Sequence, residues 1–255
     1  MIKIRRLETI DEFKKTFEIQ RSAWGVNDLE IDPHFLMISS QKYGGLLQGF
    51  FFDNECVGFT YGIIGKHKEE YFFFSYMTAV MKEFQGRGFG FLLKKAQREE
   101  VLKMGYNVIR WFFDPLESLN AFFNIHRLGI ISKGYESNIY GEGGEGLHKG
   151  LPTDRLIATW NLKSERVIQR IDKKIPKLIK NVPEEMIGNI NHKITYIEIP
   201  KDIQSLKRED LNQAYHWRIK TREMFKSAFK RGFVVEELIF SEDQSRIFYK
   251  LKKAC

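Results

Sequence analysis

The chain has 255 residues, 43% apolar and 14% aromatic, enough for a large core and unlike a disordered composition. No apolar run reaches the roughly 18–20 residues of a membrane span, and Met1–Ile10 is charged and lacks a signal-peptide core, so the expectation is a cytoplasmic protein with no membrane contact. The net charge of +8 is uneven: residues 1–162 balance 20 basic against 20 acidic side chains, and residues 163–255 carry 21 against 13.

That shift suggests a boundary near Lys163, with one domain over 1–162 and a basic extension over 163–255. The basic third could meet an acidic partner, nucleic acid or an anionic membrane surface, or simply form a solvated surface; a homodimer also stays open. Cys56 and Cys255 make no C-x-x-C pair, which suits a reducing compartment, and six scattered histidines give no ligand spacing, so no metal is expected.

In chain order, Ile2–Leu7 alternates as a strand, and Thr9 or Asp11 can cap a helix reaching Trp24 that carries Phe13, Phe17 and Ile19 at helical spacing. A short helix starts after Asp32-Pro33. Gly45–Phe52, Cys56–Gly65 and Tyr71–Val80 read as three antiparallel strands separated by Asp53-Asn54-Glu55 and by His67–Glu70. Gly88–Met104 is a helix closed by Gly105, Asn107–Phe113 a strand, and Leu116–Leu128 a helix stopped by Gly129. After Lys163 come one or two short amphipathic helices, a strand at Ile194–Ile199, a long helix over Ser205–Arg231, and a hairpin of Gly232–Phe240 with Arg246–Lys252. This β-α-β-β order echoes Val108–Asn161; it fits either a degenerate half-fold repeat or an unrelated extension.

Between the fourth strand and its helix lies Gln85-Gly86-Arg87-Gly88-Phe89-Gly90. Three glycines at alternate positions permit positive φ and clear side chains from the amides, and the opening helix adds unpaired N–H groups and a positive dipole end. Such a loop suits a pyrophosphate. It is not a Walker A loop, since Phe91 and Leu92 follow Gly90, and its G-x-G-x-G spacing is not the dinucleotide fingerprint.

The loop resembles the Gln/Arg-x-x-Gly-x-Gly/Ala motif of the GNAT superfamily of acyl-coenzyme A N-acyltransferases, with Gln85, Gly88 and Gly90 on its fixed positions. The element order over 1–162 is similar to that of the GNAT fold. The run Trp111–Leu116, then Asn120-Ala121, Asn124, Leu128-Gly129, Tyr140-Gly141 and Gly150–Arg155 resembles a group of bacterial and archaeal GNAT acyltransferases. The resemblance implies an α/β layered fold with a mixed, mostly antiparallel twisted sheet flanked by helices, here with a C-terminal β-α-β-β extension. It implies acetyl-CoA or another acyl-CoA as co-substrate, a small-molecule amine as acceptor, and direct transfer in a ternary complex. A protein or peptide amine, or a non-catalytic acyl-CoA-binding module, stands as the alternative.

Under that resemblance the coenzyme A residues are Thr78, Ala79 and Val80 of the fourth strand, Gln85, Gly86, Arg87, Gly88, Phe89 and Gly90 of the loop, and Asn120 and Asn124. A bulge at Thr78–Val80 would free amides for the donor. A lysine-like acceptor amine is almost wholly charged at pH 7, a cost of about 4.6 kcal/mol against about 1.2 for a peptide terminus, so a base matters. Asp114 is a candidate, although Asp114-Pro115-Leu116-Glu117 also reads as a capping box. The family's tyrosine four residues before Leu-Gly falls on Ile125, a departure that leaves the general acid to His126, Tyr135 or Tyr140. Arg155 could bind an acceptor carboxylate or form a surface ion pair with Asp154 or a neighbouring strand. The glycine-rich stretch Gly141–Gly150 could close over the acceptor.

Overall fold

The computed structural model describes residues 1–141, 146, 149–172 and 181–254. These form two compact units: one comprises residues 1–111 with 145–147, the other 112–144 with 148–255. The division falls inside a strand, not at the charge shift near Lys163, because strands on both sides of Lys163 pair with one another in the second unit.

The first unit opens with β1 (Ile2–Arg6), α1 (Ile10–Trp24) and α2 (His34–Lys42). Thr9 caps α1 in a reciprocal box with Glu12, and Gly25 ends it at φ 68°. The face of α1 carrying Phe13, Thr16, Ile19 and Gln20 is buried at helical spacing. The strands β2 (Leu46–Phe52), β3 (Glu55–His67) and β4 (Glu70–Val80) form the expected antiparallel meander, with β1 antiparallel to β2. Asp53 and Asn54 make the first turn at φ 48° and 69°, as residues that tolerate the left-handed region. Phe50, Val57, Phe59, Met77 and Ala79 pack with Phe13, Ile19 and Met37 into one core.

Helix α3 (Phe89–Lys103) follows β4 and leads to β5 (Val108–Phe113), which runs parallel to β4. The parallel register covers only Phe73↔Ile109 and Phe74↔Arg110. Beyond Phe74 the two strands share no further pairing among the described residues.

The second unit continues with α4 (Ser118–Ala121), which widens into a π-helical turn at Phe122–Arg127, then β6 (Ile131–Glu136), β7 (Arg155–Asn161), α5 (Glu165–Ile171), β8 (Ile194–Ile199), α6 (Ile203–Glu209), α7 (Leu211–Lys230), β9 (Phe233–Phe240) and β10 (Ile247–Lys253). The long helix expected over 205–231 is two. Asp210 is extended (φ −150°) and its carboxylate accepts the Gln213 N–H at 2.9 Å, starting α7 afresh.

Within the second unit the strands run β7-β6-β9-β10-β8, with β6 antiparallel to β9 at Ser132↔Val235. In chain order Val108–Asn161 and Ile194–Lys253 each give a strand, a helical stretch, a left-handed glycine (Gly129 at φ 75°, Gly232 at φ 80°) and a hairpin. This order parallels the echo between the two segments and fits either a degenerate half-fold repeat or an unrelated extension.

Candidate acyl-donor site

The feature that organises the first unit's site is the point where β5 leaves β4. Opposite β3 the register jumps from Tyr61↔Met77 to Ile63↔Phe74, so β4 carries an extra residue at Ser75-Tyr76. The bulge expected at Thr78–Val80 thus sits two to three residues earlier, directly after the last β4–β5 pair.

Beyond the bulge β4 is regular against β3. The Met81 N–H donates to Val57 O at 2.9 Å, which makes Ala79↔Phe59 the next hydrogen-bonded pair in the ladder. Alternation then turns the N–H and C=O of Thr78 and Val80 to the opposite edge, where β5 has departed. Ala79 presents its amide to β3, so of the three residues only Thr78 and Val80 offer backbone donors on the free edge.

The loop follows at once. A short 3-10 turn at Lys82–Phe84 carries the chain over, and Gln85 ties it back by donating from Nε2 to the Val80 carbonyl at 2.9 Å. Gly86 and Gly88 adopt φ 76° and 82°, and a Cβ added to either would meet no atom within 4 Å. A side chain would fill the hollow there; its absence leaves the amides bare. Gly90 differs: it is helical, in the first turn of α3, and contributes by lacking a side chain rather than by a special φ.

Gly88 is the N-cap of α3 and no side chain caps that end. The first intrahelical bonds run from Phe91 and Leu92 back to Gly88 O, so the N–H groups of Gly88, Phe89 and Gly90 precede the helix ladder and add to its dipole. Phe89 is buried and stacks on Phe50 with centroids 4.3 Å apart, pinning the loop to the core. Arg87 is exposed; its guanidinium donates to Glu83 O at 3.1 Å and lies over the Phe84 ring.

Two first-unit groups at the bulge escaped sequence reasoning. Asp32, read there only as the start of α2, is half-buried; burial raises its carboxyl above the usual range, opposed by a hydrogen bond from Tyr76. Its backbone is clamped by Gln20, which bonds both the Asp32 N–H (2.9 Å) and C=O (3.3 Å). On the other strand face Lys94 is buried and donates to Ser75 Oγ at 2.9 Å. An Asp before Pro and a Lys inside an amphipathic helix carry no motif, so only the fold marks them.

The second unit gives the remaining candidates structural partners. Asp114 Oδ1 and Oδ2 accept from Arg218 at 2.9 and 2.5 Å, with Arg155 3.6 Å away. Burial alone would raise this carboxyl, but Arg218 and Arg155 outweigh it and hold it below the usual carboxylate range, which is the wrong direction for a base at neutral pH. Asp114 also makes no capping box: it accepts the Leu116 N–H at 2.8 Å in a local turn, and α4 starts later, at Ser118.

Arg155 is buried, donates to the Asp154 main-chain O at 2.8 Å, lies over the Tyr140 ring and stands 3.6 Å from Asp114. Asp154 itself, fully buried, takes two bonds from Arg222 (2.8 and 2.7 Å) and one from Tyr135 (2.7 Å). Tyr135 is thereby committed, its hydroxyl pushed up by burial and by that carboxylate. His126 is buried with Nδ1 3.1 Å from Glu237, which Arg170 also binds at 2.6 Å. Tyr140 is 60% exposed. Asn124 donates from Nδ2 to Asn120 Oδ1 at 3.1 Å, a bond that leaves Asn120 Nδ2 and Asn124 Oδ1 outside it. Ile125 is fully buried. Of the glycine stretch, residues 142–145, 147 and 148 lie outside the described residues. Among the described residues no helix is long and apolar enough to cross a membrane, and no group of three His, Cys, Asp or Glu is placed to hold a metal.

No family model and no curated protein matches the chain. Solved structures do. That of yncA, a presumed acetyltransferase from Salmonella typhimurium solved with its cofactor acetyl-CoA, superposes with a TM-score of 0.51 at 17% identity, over 65% of this chain and 96% of that one. Aminoglycoside 6'-acetyltransferase type Ii gives 0.50 at 14% identity, over 64% and 99%. The chain has the GNAT fold. In this GNAT-fold chain the glycine loop, the free edge of β4 and the bulge all lie in the first unit.

Proposed function

We propose that this protein transfers an acetyl or other short acyl group from coenzyme A to the amine of a small metabolite. The observation that carries the reading is the conjunction at the end of β4: an exposed loop with two left-handed, side-chain-free glycines, an uncapped helix N-terminus, and a strand edge freed of its neighbour. Gly86 and Gly88–Gly90 would hold the diphosphate through backbone N–H groups, with Arg87 swinging from Glu83 O to add charge. Val80 and Thr78 offer the free-edge amides for the pantetheine arm and, at Thr78 nearest the bulge, for the thioester oxygen. The bulge lies roughly 17 Å back along β4 from Val80, five residues at about 3.3 Å each, a span that supports Ser75-Tyr76 as the acyl end of the donor.

Acyl-CoA, when bound, supplies an activated carbonyl and a thiolate leaving group. The chain's own part is to orient and to move a proton. Asp32, beside Tyr76, receives the acceptor amine there: its carboxyl, raised by burial, takes the proton as the N–C bond forms and the C–S bond breaks. Free-edge N–H groups stabilise the carbonyl oxygen as charge develops, each worth about 2.7–4 kcal/mol in comparable sites. The buried Ile125, where a phenol would protonate the leaving thiolate, favours a second reading, an acyl-CoA-binding regulatory module.

Turnover separates the two. Purified protein with acetyl- or succinyl-CoA and a panel of amines releases free thiol in an amine-dependent manner under the enzyme reading; tight CoA binding without thiol release above background establishes the regulatory one.

A further inference from the structure

Lys94 stands in the second turn of α3, whose N-terminus carries the glycine loop, yet its side chain is 3% exposed. A buried amine is retained only where its donors are used. Here Nζ donates to Ser75 Oγ at 2.9 Å and to Gln97 Oε1 at 2.8 Å, and lies 4.0 Å from the centroid of the Trp111 ring. Ser75 Oγ donates in turn to Gln97 Oε1 at 2.9 Å, and Gln97 Nε2 donates to Thr60 Oγ1 at 2.8 Å. Thr60 Oγ1 reaches the Met77 carbonyl at 3.2 Å and the Thr78 hydroxyl at 3.0 Å.

The hydrogen bonds of this network lead to β4 between Ser75 and Thr78, and the Trp111 ring adds a contact from β5. That is the segment where the strand gains its extra residue and loses its β5 neighbour, so ladder hydrogen bonds hold it least. The lysine side chain spans from α3 to the bulge and makes the loop's helix and the bulge one piece. A purely apolar contact would fill the same space without the burial that pulls this amine's pKa down to about 7.

We propose that Lys94 is a positioning residue for acyl transfer: held between Ser75 and Gln97, it fixes the β4 bulge so that the free-edge N–H groups beyond it meet the acyl carbonyl. This rests on the acyl-transfer reading above. The residue touches no reactant itself; it acts through Ser75 and the strand.

The full-length chain carries the test, as Lys94→Met, Ser75→Ala and the double variant. CoA affinity by calorimetry stays within about twofold of wild type in all three, while kcat falls tenfold or more in Lys94→Met. Ser75→Ala lowers kcat too, and the double variant is no worse than Lys94→Met, because both changes cut one connection. In ligand-free protein, amide hydrogen exchange over residues 74–78 quickens at least tenfold in Lys94→Met, with the rest of β4 unchanged. If Lys94→Met does not accumulate, Ser75→Ala, which keeps the lysine, decides alone by the same kcat and exchange readouts. An unchanged kcat, additive losses, or unchanged exchange overturns the proposal, as does a loss of CoA affinity with kcat kept, which would assign Lys94 to the loop. Wild-type protein that binds CoA and never releases thiol defeats the acyl-transfer reading instead, and the exchange comparison then still shows whether Lys94 fixes the bulge.

Discussion

Asp114 and Arg218 are joined by two hydrogen bonds of 2.9 and 2.5 Å, 104 residues apart in sequence and both withdrawn from solvent. The pair links the turn after β5 to the middle of α7. Removing one partner strands a charge in the interior, so Arg218→Met destabilises the protein by about 3–5 kcal/mol. Chemical denaturation of the variant against wild type measures it; a change under about 1 kcal/mol contradicts the structural role assigned to Asp114.

The same pair sets an acid limit. Asp114 has a folded-state pKa below its unfolded value, so the folded protein holds fewer protons there and the pair's contribution is fully present above the unfolded pKa near 3.8. It is lost as pH falls through the folded value. Wild type therefore loses stability steeply below about pH 4, and the double variant Asp114→Asn/Arg218→Met does so less steeply. Equal acid slopes contradict the assignment.

Lys94 gives the same sign in a higher pH window. Its pKa is near 7 folded and 10.5 unfolded, so between those values the unfolded chain binds more protons and stability rises with pH. A shift of that size corresponds to about 5 kcal/mol across the window, an order-of-magnitude figure. Wild-type stability increases from pH 7 towards pH 10 relative to Lys94→Met, which lacks the group and is no less stable at pH 7. A parallel pH dependence in the two proteins contradicts this.

His126 is held by Glu237 within a buried cluster that includes Arg170. Its replacement by Gln lowers stability by about 1–3 kcal/mol, the cost of a buried acceptor left short of a partner, and leaves the pH profile of kcat unchanged. A profile that loses an ionisation in His126→Gln would restore this histidine as the general acid.

How much of this was legible in the residues divides along physical lines. The β4–loop–α3 segment could be read because its requirements are local: left-handed glycines, an uncapped helix start and strand alternation are all written within about fifteen consecutive positions. The shared element order of Val108–Asn161 and Ile194–Lys253 could be read for the same reason, through Gly129 and Gly232 after their helices. The roles of Asp114, Arg155 and His126 could not, since each is decided by a partner more than 60 residues away or by an acid whose burial only the tertiary fold sets. Asp32 and Lys94 had no motif at all. The bulge was expected at Thr78–Val80 but sits at Ser75-Tyr76, because it is the departure of β5 after Phe74 that fixes its place.

Within the loop, Gly88 and Gly90 are separable. Gly88→Val puts a β-branched residue at φ 82°, which costs about 1–3 kcal/mol locally and covers the amides; the hollow accepts the side chain, so the fold survives while CoA affinity falls tenfold or more. Gly90→Ala, at a helical position, leaves stability unchanged or slightly raised. Calorimetry and thermal melts on both variants check this; a Gly88→Val protein with wild-type affinity contradicts it.

The most direct measurement is calorimetric titration of the wild-type protein with coenzyme A and, separately, with pantetheine, which lacks the diphosphate. The account predicts saturable CoA binding and at least tenfold weaker binding of pantetheine. No heat of association with CoA at millimolar ligand, or equal affinity for the two, would contradict a diphosphate grip by the amides of residues 86–90.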